Sequence, residues 1–252
     1  PVSWARRCVI RDRYYDKRIC SDSVKFLINY HYGRIHQNGA NYQEAMHYYL
    51  TAEKYALAAH KNYYLGLVYT RIGELYSEQM NFNGALEYYR NAYDAWKKLR
   101  NPAFMNNATL NIANTYSSLN DNDNAVKYYL QALQAARQQG DNDMVIACLS
   151  NLGDIYVSKG DYPKALQAVK EIERIVPDGL SIYQYRILIK VYYLQHKIDS
   201  ARYYFNIASE LAEDIRDDAQ LAYLSFQIEL ASGNSELSLI HISEPTRPEP
   251  IS

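Results

Sequence analysis

The sequence repeats itself every 40 residues, and this period constrains the fold more than any other feature. Four segments that begin at residues 41, 81, 121 and 161 align without gaps. One column of the alignment holds alanine throughout, namely Ala45, Ala85, Ala125 and Ala165. The column four residues later holds Tyr49, Tyr89, Tyr129 and Val169. A fixed period of this length is typical of proteins in which similar structural units stack in a row.

Each repeat is predicted to contain two helices. Twelve residues before each alanine lies a small residue, in the series Gly33, Gly73, Ala113 and Gly153. Around it, apolar and small residues recur at the i, i+3, i+4 and i+7 spacing of a helix face, as in Tyr69, Ile72, Gly73 and Tyr76. Turn-forming residues such as Asn38 and Gly39 separate the helical stretches. Because the joints are short, neighbouring helices are expected to be antiparallel.

The glycine and tyrosine columns predict how the two helices of a repeat pack. A glycine inside a helix costs about 1 kcal/mol relative to alanine, and three repeats accept this cost at the same position. We therefore expect the missing Cβ to let the paired helix approach closely near the alanine column, with tyrosine rings filling the wider space on either side. The chain has 27 tyrosines against 5 phenylalanines, and the copying of a few aromatic positions explains most of this excess. The tyrosine hydroxyls are expected to reach the surface, because a buried hydroxyl needs a partner.

A fifth repeat follows at a shorter offset of 36 residues. Its residues in the matching columns are Tyr192, Ala201, Phe205 and Ala208, with Ile189 at the small position. Pro177, Asp178 and Gly179 stop the preceding helix, since proline cannot continue a helix and glycine favours a turn. This early stop accounts for the shorter offset.

Composition and charge exclude several classes of protein. The 252 residues carry 27 basic and 28 acidic side chains, a formal net charge of −1, and 48% of them are hydrophobic, which is enough for a sizeable core. Binding to nucleic acid through phosphate neutralisation, or to a membrane surface through a polybasic patch, requires a basic excess, so neither is expected. The three cysteines are widely spaced and form neither a disulfide framework nor a metal-ligand pair. No apolar stretch approaches the roughly 18 residues of a membrane helix.

The order of small residue, tyrosine, alanine, tyrosine and alanine in each repeat resembles the tetratricopeptide repeat family, and Pro177 matches the terminal proline of that family. The resemblance covers roughly Ser23 to Ser232, which is five repeats and the first helix of a sixth. It implies an all-α solenoid of antiparallel helix pairs that forms a right-handed superhelix. The usual period of the family is 34 residues. The 40-residue units of this chain are similar to those of bacterial sensor and regulator repeat proteins.

The resemblance also implies where a partner binds, because in this family the first helix of each pair lines a concave groove. Eight polar or basic residues of the predicted first helices avoid the glycine–tyrosine stripe and are the candidate partner-binding residues: Arg34, Arg71, Asn107, Asn111, Asn114, Asn151, Arg186 and Lys190. Asparagine is a weak helix former, but its amide can both donate to and accept from a peptide backbone. Our hypothesis is that Asn111, Asn114 and Asn151 bind a peptide backbone and that the basic residues bind a carboxylate. The alternative is that all of them are solvated residues of an exposed helix face.

Other candidate sites have simpler interpretations. His31 and His36 are five residues apart and fall on different helix faces, so a metal site is not expected. Cys148 lies beside the core stripe and is interpreted as a small buried residue. The sequence has no nucleophile-elbow motif and no glycine-rich phosphate loop, so we expect neither an enzyme nor a cofactor. The tyrosine pairs at 48–49, 88–89 and 128–129 could stack on bases, but net charge and periodicity favour core packing.

The two ends of the chain are expected to differ from the repeats. Residues 1–21 are interpreted as the closing helix of a preceding repeat, residues 22–236 as the solenoid, and residues 237–252 as a non-native tail. The segment Leu237 to Arg247 resembles the translation of a sequencing-library adapter, and the alternative is a natural proline-rich tail. Since the chain also lacks an initiator methionine, it is interpreted as an internal fragment of a longer protein. The compartment is open, cytoplasmic by default, and so is the oligomeric state.

The sequence thus predicts a non-enzymatic scaffold that binds a protein or peptide in the groove of a bacterial helical-repeat solenoid. The alternative is that the repeats are the sensor portion of a bacterial signalling or transcriptional regulator. In that case the effector or membrane segment of the regulator lies outside this fragment.

Overall fold

The computed structural model describes residues 21–212 and 219–232. The chain divides into two compact units, Pro1–Gly140 and Asp141–Ser252. Of the predicted closing helix at residues 1–21, only Ser21 is among the described residues, and the tail at 237–252 lies outside them. Every regular element in the described part of the chain is an α-helix, as predicted. The N-terminal unit contains α1 (Asp22–Asn38), α2 (Tyr42–Ala58), α3 (Asn62–Glu78), α4 (Phe82–Lys98), α5 (Pro102–Ser118) and α6 (Asn122–Gln139). The C-terminal unit contains α7 (Asn142–Ser158), α8 (Tyr162–Ile175), α9 (Ile182–Leu194), α10 (Ile198–Leu211) and α11 (Ala219–Ala231).

Within each unit, the helices pack as the repeat predicts. The first and second helices of each repeat are in contact: α1 with α2, α3 with α4, and α5 with α6 in the N-terminal unit, and α7 with α8 and α9 with α10 in the C-terminal unit. First helices also contact one another, α1 with α3 in one unit and α9 with both α7 and α11 in the other. The predicted repeat of helix pairs is therefore confirmed. No helix in the described ranges is both long and apolar enough to cross a membrane.

Most of the described helices end at a residue whose backbone is in the left-handed conformation. Between residues 40 and 160, such a residue occurs every 20 residues. The residues are Ala40, His60, Met80, Arg100, Asn120, Gly140 and Gly160, with φ between 52° and 74°. We call each turn between helices that contains such a residue a corner. In most corners the residue after the left-handed one donates its N–H to the carbonyl five residues back, as from Asn81 to Tyr76 at 2.8 Å. These bonds, together with those of the left-handed residues themselves, form the Schellman arrangement that satisfies the last carbonyls of a helix.

The residue after each corner also begins the next helix. The side chain of Asn81 accepts from the N–H of Gly84 at 3.1 Å, and that of Asp141 accepts from the N–H of Met144 at 3.0 Å. Asn101, Asp121 and Asp161 cap their helices in the same way. Asparagine and aspartate are favoured at this position because their oxygens satisfy N–H groups that have no partner within the helix. One polar residue therefore joins two helices and fixes the length of the turn between them.

Four of these seven residues are neither glycine nor asparagine, the two residue types that the left-handed conformation favours. Replacing the exposed Met80, at φ 58°, with glycine should therefore raise the free energy of unfolding by about 0.5 to 1 kcal/mol. Urea unfolding followed by circular dichroism measures this change. The matched control is Met80→Ala, which removes the same exposed side chain but keeps the strained backbone and should leave stability almost unchanged. Equal stability of the two variants would contradict the prediction.

The glycine column packs against tyrosine rings rather than against the alanine column. A Cβ built on Gly33 would lie 2.5 Å from Cδ1 of Tyr49, and one on Gly73 would lie 2.7 Å from Cδ1 of Tyr89. Both rings are buried. The expectation that the backbones approach near the alanines with tyrosines on either side is therefore wrong in this detail, because the ring itself occupies the space of the missing Cβ.

Gly153 has a different neighbour because Val169 replaces the tyrosine in its repeat. A Cβ there would meet the terminal methyl of Ile187 on α9 at 3.0 Å. Such a methyl can move by a few tenths of an ångström, whereas a buried ring cannot. The three glycines of this column are thus not equivalent, although the sequence gives them the same place.

The difference predicts that the same substitution affects the stability of the two sites differently. Gly73→Ala should lower the free energy of unfolding by about 1 to 3 kcal/mol, because overpacking against Tyr89 outweighs the gain in helix propensity. Gly153→Ala should be neutral or should raise it by up to about 1 kcal/mol. The urea midpoints of unfolding of the two variants test this prediction. A similar loss of stability in both would show that the contact with the Tyr89 ring does not cause the loss in Gly73→Ala.

Candidate functional site

We call the side of the first helices that carries the candidate residues the first-helix face. In the N-terminal unit it comprises Arg34 on α1, Arg71 on α3, and Asn107, Asn111 and Asn114 on α5. In the C-terminal unit it comprises Asn151 on α7, and Arg186 and Lys190 on α9. Some of these residues are already bonded within the fold, and others are open to solvent.

Arg71 is held by its own neighbours. Its Nη1 lies 2.7 Å from Oε2 of Glu74, one turn further along α3, and its Nε donates to the hydroxyl of Tyr30 on α1 at 3.4 Å. Tyr30 itself is buried. The guanidinium therefore ties two successive first helices together, and its charge is largely matched by Glu74. Both groups remain about one-third exposed.

Asn114 accepts a hydrogen bond from inside the repeat. The hydroxyl of the buried Tyr129 on α6 donates to its Oδ1 at 2.6 Å. The tyrosines that match Tyr129 in the other repeats also bond to the first helix. The Tyr49 hydroxyl donates to Oε1 of Gln37 at 2.7 Å, and the Tyr89 hydroxyl lies 3.4 Å from that of Ser77. Burial raises the pKa of Tyr89 to about 12, so this hydroxyl stays protonated. The tyrosine hydroxyls thus find partners on the first helix, and Asn114 has a structural role that its sequence position did not reveal.

Arg34, Asn107 and Asn111 are the candidates that remain open in the N-terminal unit. Arg34 and Asn107 are exposed, and Asn111 is half-buried. Asn107 and Asn111 are one helical turn apart on α5, so their amides lie on the same side of the helix. No side chain in the described residues forms a hydrogen bond with either amide, and both are therefore available to a ligand.

The candidates of the C-terminal unit are joined in a small polar network. Tyr183 on α9 donates to Oδ2 of Asp154 and lies 3.5 Å from Oδ1 of Asn151. Lys190 Nζ lies 3.1 Å from Oδ1 of the same aspartate, and the Arg186 guanidinium lies over the Tyr183 ring at 5.2 Å. The structure therefore brings Asn151, Arg186 and Lys190 together through Asp154 and Tyr183. The sequence reading did not single out Tyr183, which lies one turn before Arg186 on the same helix.

A hollow lies beside this network. It has a volume of about 400 Å³ and is lined by Lys190 from α9 and by five residues of α11: Ala219, Gln220, Tyr223, Leu224 and Gln227. Tyr223 is 60% exposed. The hollow thus combines one cation, Lys190, with the open aromatic ring of Tyr223.

The remaining candidates have structural surroundings. His36 stacks on Tyr48 with ring centroids 5.3 Å apart. Cys148 is buried, and burial raises the pKa of its thiol to about 12, so the reactive thiolate is disfavoured. No group of three or more metal-ligating side chains occurs in the part of the chain that the structure describes.

Comparison with known proteins identifies the repeat. Residues 104–178 match the model of the tetratricopeptide repeat family. This segment carries tetratricopeptide repeats. No curated protein matches the chain significantly.

Several solved structures share this tetratricopeptide fold at low sequence identity. Aspartyl phosphate phosphatase F from Bacillus subtilis is 18% identical with a TM-score of 0.72, and the match covers 87% of this chain and 59% of that one. A Rap protein in complex with competence and sporulation factor is 21% identical with a TM-score of 0.61, covering 86% and 62%. A signal transduction ATPase with numerous domains and a tetratricopeptide repeat sensor, from Pyrococcus horikoshii, is 19% identical with a TM-score of 0.73, covering 86% and 35%. This chain thus spans less than two thirds of the length of each of these three proteins.

The internal bond of Asn114 predicts a measurable difference between two asparagines of α5. Asn114→Ala should lower the free energy of unfolding by about 0.5 to 1.5 kcal/mol relative to Asn111→Ala, because only Asn114 accepts from Tyr129. Both variants gain the same helix propensity, so their difference isolates the hydrogen bond. Urea unfolding of the two variants measures it, and equal stability would show that the Tyr129 bond contributes nothing.

Proposed function

We propose that this chain is a scaffold that binds an extended peptide along the first-helix face of the N-terminal unit. The observation that carries the proposal is the pair of unengaged amides of Asn107 and Asn111 on α5. Each amide offers a donor and an acceptor, which is what the backbone of an extended peptide requires. A helix-pair repeat supplies such groups on a rigid support, and rigid support reduces the entropic cost of binding.

The basic residues of the same face favour a peptide that carries a carboxylate. Arg34 is exposed, and Arg71 on the first helix of the next repeat keeps about one third of its side chain open. A guanidinium can hold a carboxylate through two parallel hydrogen bonds. Because Glu74 already occupies part of Arg71, we assign the larger share of this contact to Arg34.

Peptides selected from a random displayed library against the wild-type chain test the proposal. Asn107→Ala combined with Asn111→Ala should weaken binding of a selected peptide about 10- to 30-fold, since two hydrogen bonds of roughly 1 kcal/mol each are lost. Fluorescence polarisation of the labelled peptide measures the change. The matched control combines Asn83→Ala with Asn91→Ala, two exposed asparagines of α4. Unchanged affinity in the first variant, or an equal loss in the control, would refute the proposal.

The second candidate function is that of a sensor within a bacterial regulator. It is favoured by the structural likeness to the repeat sensor of the Pyrococcus horikoshii signal transduction ATPase, of which this chain covers 35%. In this case a ligand on the first-helix face would alter the activity of a further segment of a longer protein. Sequencing the adjoining gene regions from an independent library tests this candidate. An intact reading frame that encodes an ATPase, kinase or DNA-binding segment would favour the sensor, and one that encodes only further repeats would favour the scaffold.

A further inference from the structure

Three aromatic rings and a carboxylate fill the space on the outer side of α3. Tyr88 of α4 stacks on Tyr76 with ring centroids 5.6 Å apart and lies 5.9 Å from the ring of Tyr69. Burial and the nearby carboxylate of Glu53 on α2 both raise the pKa of the Tyr69 hydroxyl. Tyr69 thus lies between α2 and α4, the second helices of two successive repeats.

The next repeat keeps the stacked pair of tyrosines and changes the other two positions. Forty residues further on, Tyr116 and Tyr128 take the places of Tyr76 and Tyr88, and their rings stack at 5.4 Å. The place of Tyr69 is taken by Thr109, and that of Glu53 by Tyr93. In the C-terminal unit a tyrosine again stands in this column, since Tyr185 lies 36 residues after Leu149 of the fourth repeat and its ring is 6.3 Å from that of Tyr204.

The missing ring leaves a pocket of about 360 Å³ among α4, α5 and α6. Its buried lining residues are Thr109 and Ile112 of α5, each 4% exposed. The Thr109 hydroxyl donates to the carbonyl of Met105 at 2.9 Å, so the inner part of the pocket is apolar. Tyr93 and Tyr128 contribute half-buried rings, and three exposed polar residues complete the lining: Arg90, Asp94 and Gln131.

The polar residues at the mouth differ in what they can still bind. Arg90 Nη2 donates to the Tyr116 hydroxyl at 2.7 Å and is therefore partly engaged. Asp94 has no partner among the residues that the structure describes. It lies one position beyond the Glu53 column and places a carboxylate at the mouth of the pocket.

This pocket is separate from the first-helix face. On a helix of 3.6 residues per turn, Thr109 and Ile112 lie on the opposite side of α5 from Asn107, Asn111 and Asn114. A ligand in the pocket therefore leaves the proposed peptide-binding asparagines free.

We propose that the pocket binds the phenol ring of a tyrosine side chain from a partner protein, in the place that Tyr69 fills in the preceding repeat. The chain itself supplies the template, since the Tyr69 ring lies 5.9 Å from the Tyr88 ring and its hydroxyl is near the Glu53 carboxylate. In the open pocket, Tyr128 supplies the ring and Asp94 supplies the carboxylate. An aromatic ring is favoured over an aliphatic chain because offset or edge contacts with Tyr93 and Tyr128 add to the burial of apolar area.

The first experiment uses p-cresol, which is the side chain of tyrosine without its backbone. In amide-resolved NMR titrations, p-cresol should shift the resonances of Thr109, Ile112 and Tyr128, with an affinity of about millimolar. Toluene, which lacks the hydroxyl, should bind several-fold more weakly. Absence of shifts at these amides, or equal binding of toluene, would overturn the assignment to a phenol.

The variant that tests the template is Tyr93→Glu combined with Thr109→Tyr, which rebuilds the Glu53–Tyr69 pair in this repeat. It should weaken p-cresol binding at least tenfold, while the conservative Thr109→Ser should preserve it. If circular dichroism shows that the double variant is unfolded, Thr109→Met takes its place, because a long apolar side chain also fills the inner pocket. Undiminished p-cresol binding in a folded, filled variant would overturn the proposal.

A capped Gly-Tyr-Gly tripeptide tests whether the ring can come from a protein. It should shift the same amides as p-cresol, and Asn107→Ala with Asn111→Ala should leave this binding unchanged. If p-cresol binds and the tripeptide does not, the pocket serves small phenols and the protein partner is refuted. Because the two sets of variants lie on opposite sides of α5, failure of this proposal and failure of the peptide scaffold can be told apart.

Discussion

The corner between helices is the constraint on which the rest of this structure depends. A left-handed residue closes one helix, and the residue after it caps the next, so most turns have a length of three residues between helices of 17 residues. Two such steps make the 40-residue period, in place of the usual 34 of the family. Where Pro177 interrupts the pattern after α8, the helix is shorter and the offset falls to 36. The period is therefore set by the caps, and the packing of side chains follows from it.

A fixed period keeps every side chain in register with the same columns of its neighbours. A change in one column is therefore felt at a known place in another, as when Val169 replaces tyrosine and Gly153 meets Ile187 instead of a ring. The exchange of Tyr69 for Thr109 belongs to the same class, but there a pocket of about 360 Å³ remains. Because the register is fixed, a single substitution changes the packing at one defined place. Such local changes make the repeats differ from one another although they share the same fold.

The sequence predicted the helices and their pairing because both depend on periodic apolar positions and short turns. It did not predict that Ala40, His60, Met80 and Arg100 adopt the left-handed conformation, because their residue types do not favour it. The sequence also predicted on which helices the site residues lie, but not which hydrogen bonds they form. Asn114 and Tyr129 are 15 residues apart, and Asp154 and Tyr183 are 29 apart, so these contacts depend on how two helices meet. Asn107 and Asn111 look the same in sequence as Asn114, and only the position of the buried hydroxyl separates them.

The two sides of α5 differ in what an unoccupied position costs the fold. Asn107 and Asn111 lie towards solvent, where a free amide is hydrated and costs the fold little. Thr109 lies on the packed side, where a missing tyrosine ring gives up burial that in hydrocarbon terms amounts to about 2 to 3 kcal/mol. A repeat protein can tolerate this loss because each repeat is stabilised mainly by its immediate neighbours, and the stacked Tyr116 and Tyr128 remain in place. A ring from outside recovers the same burial without any change in the helices, since the corners already hold them in register.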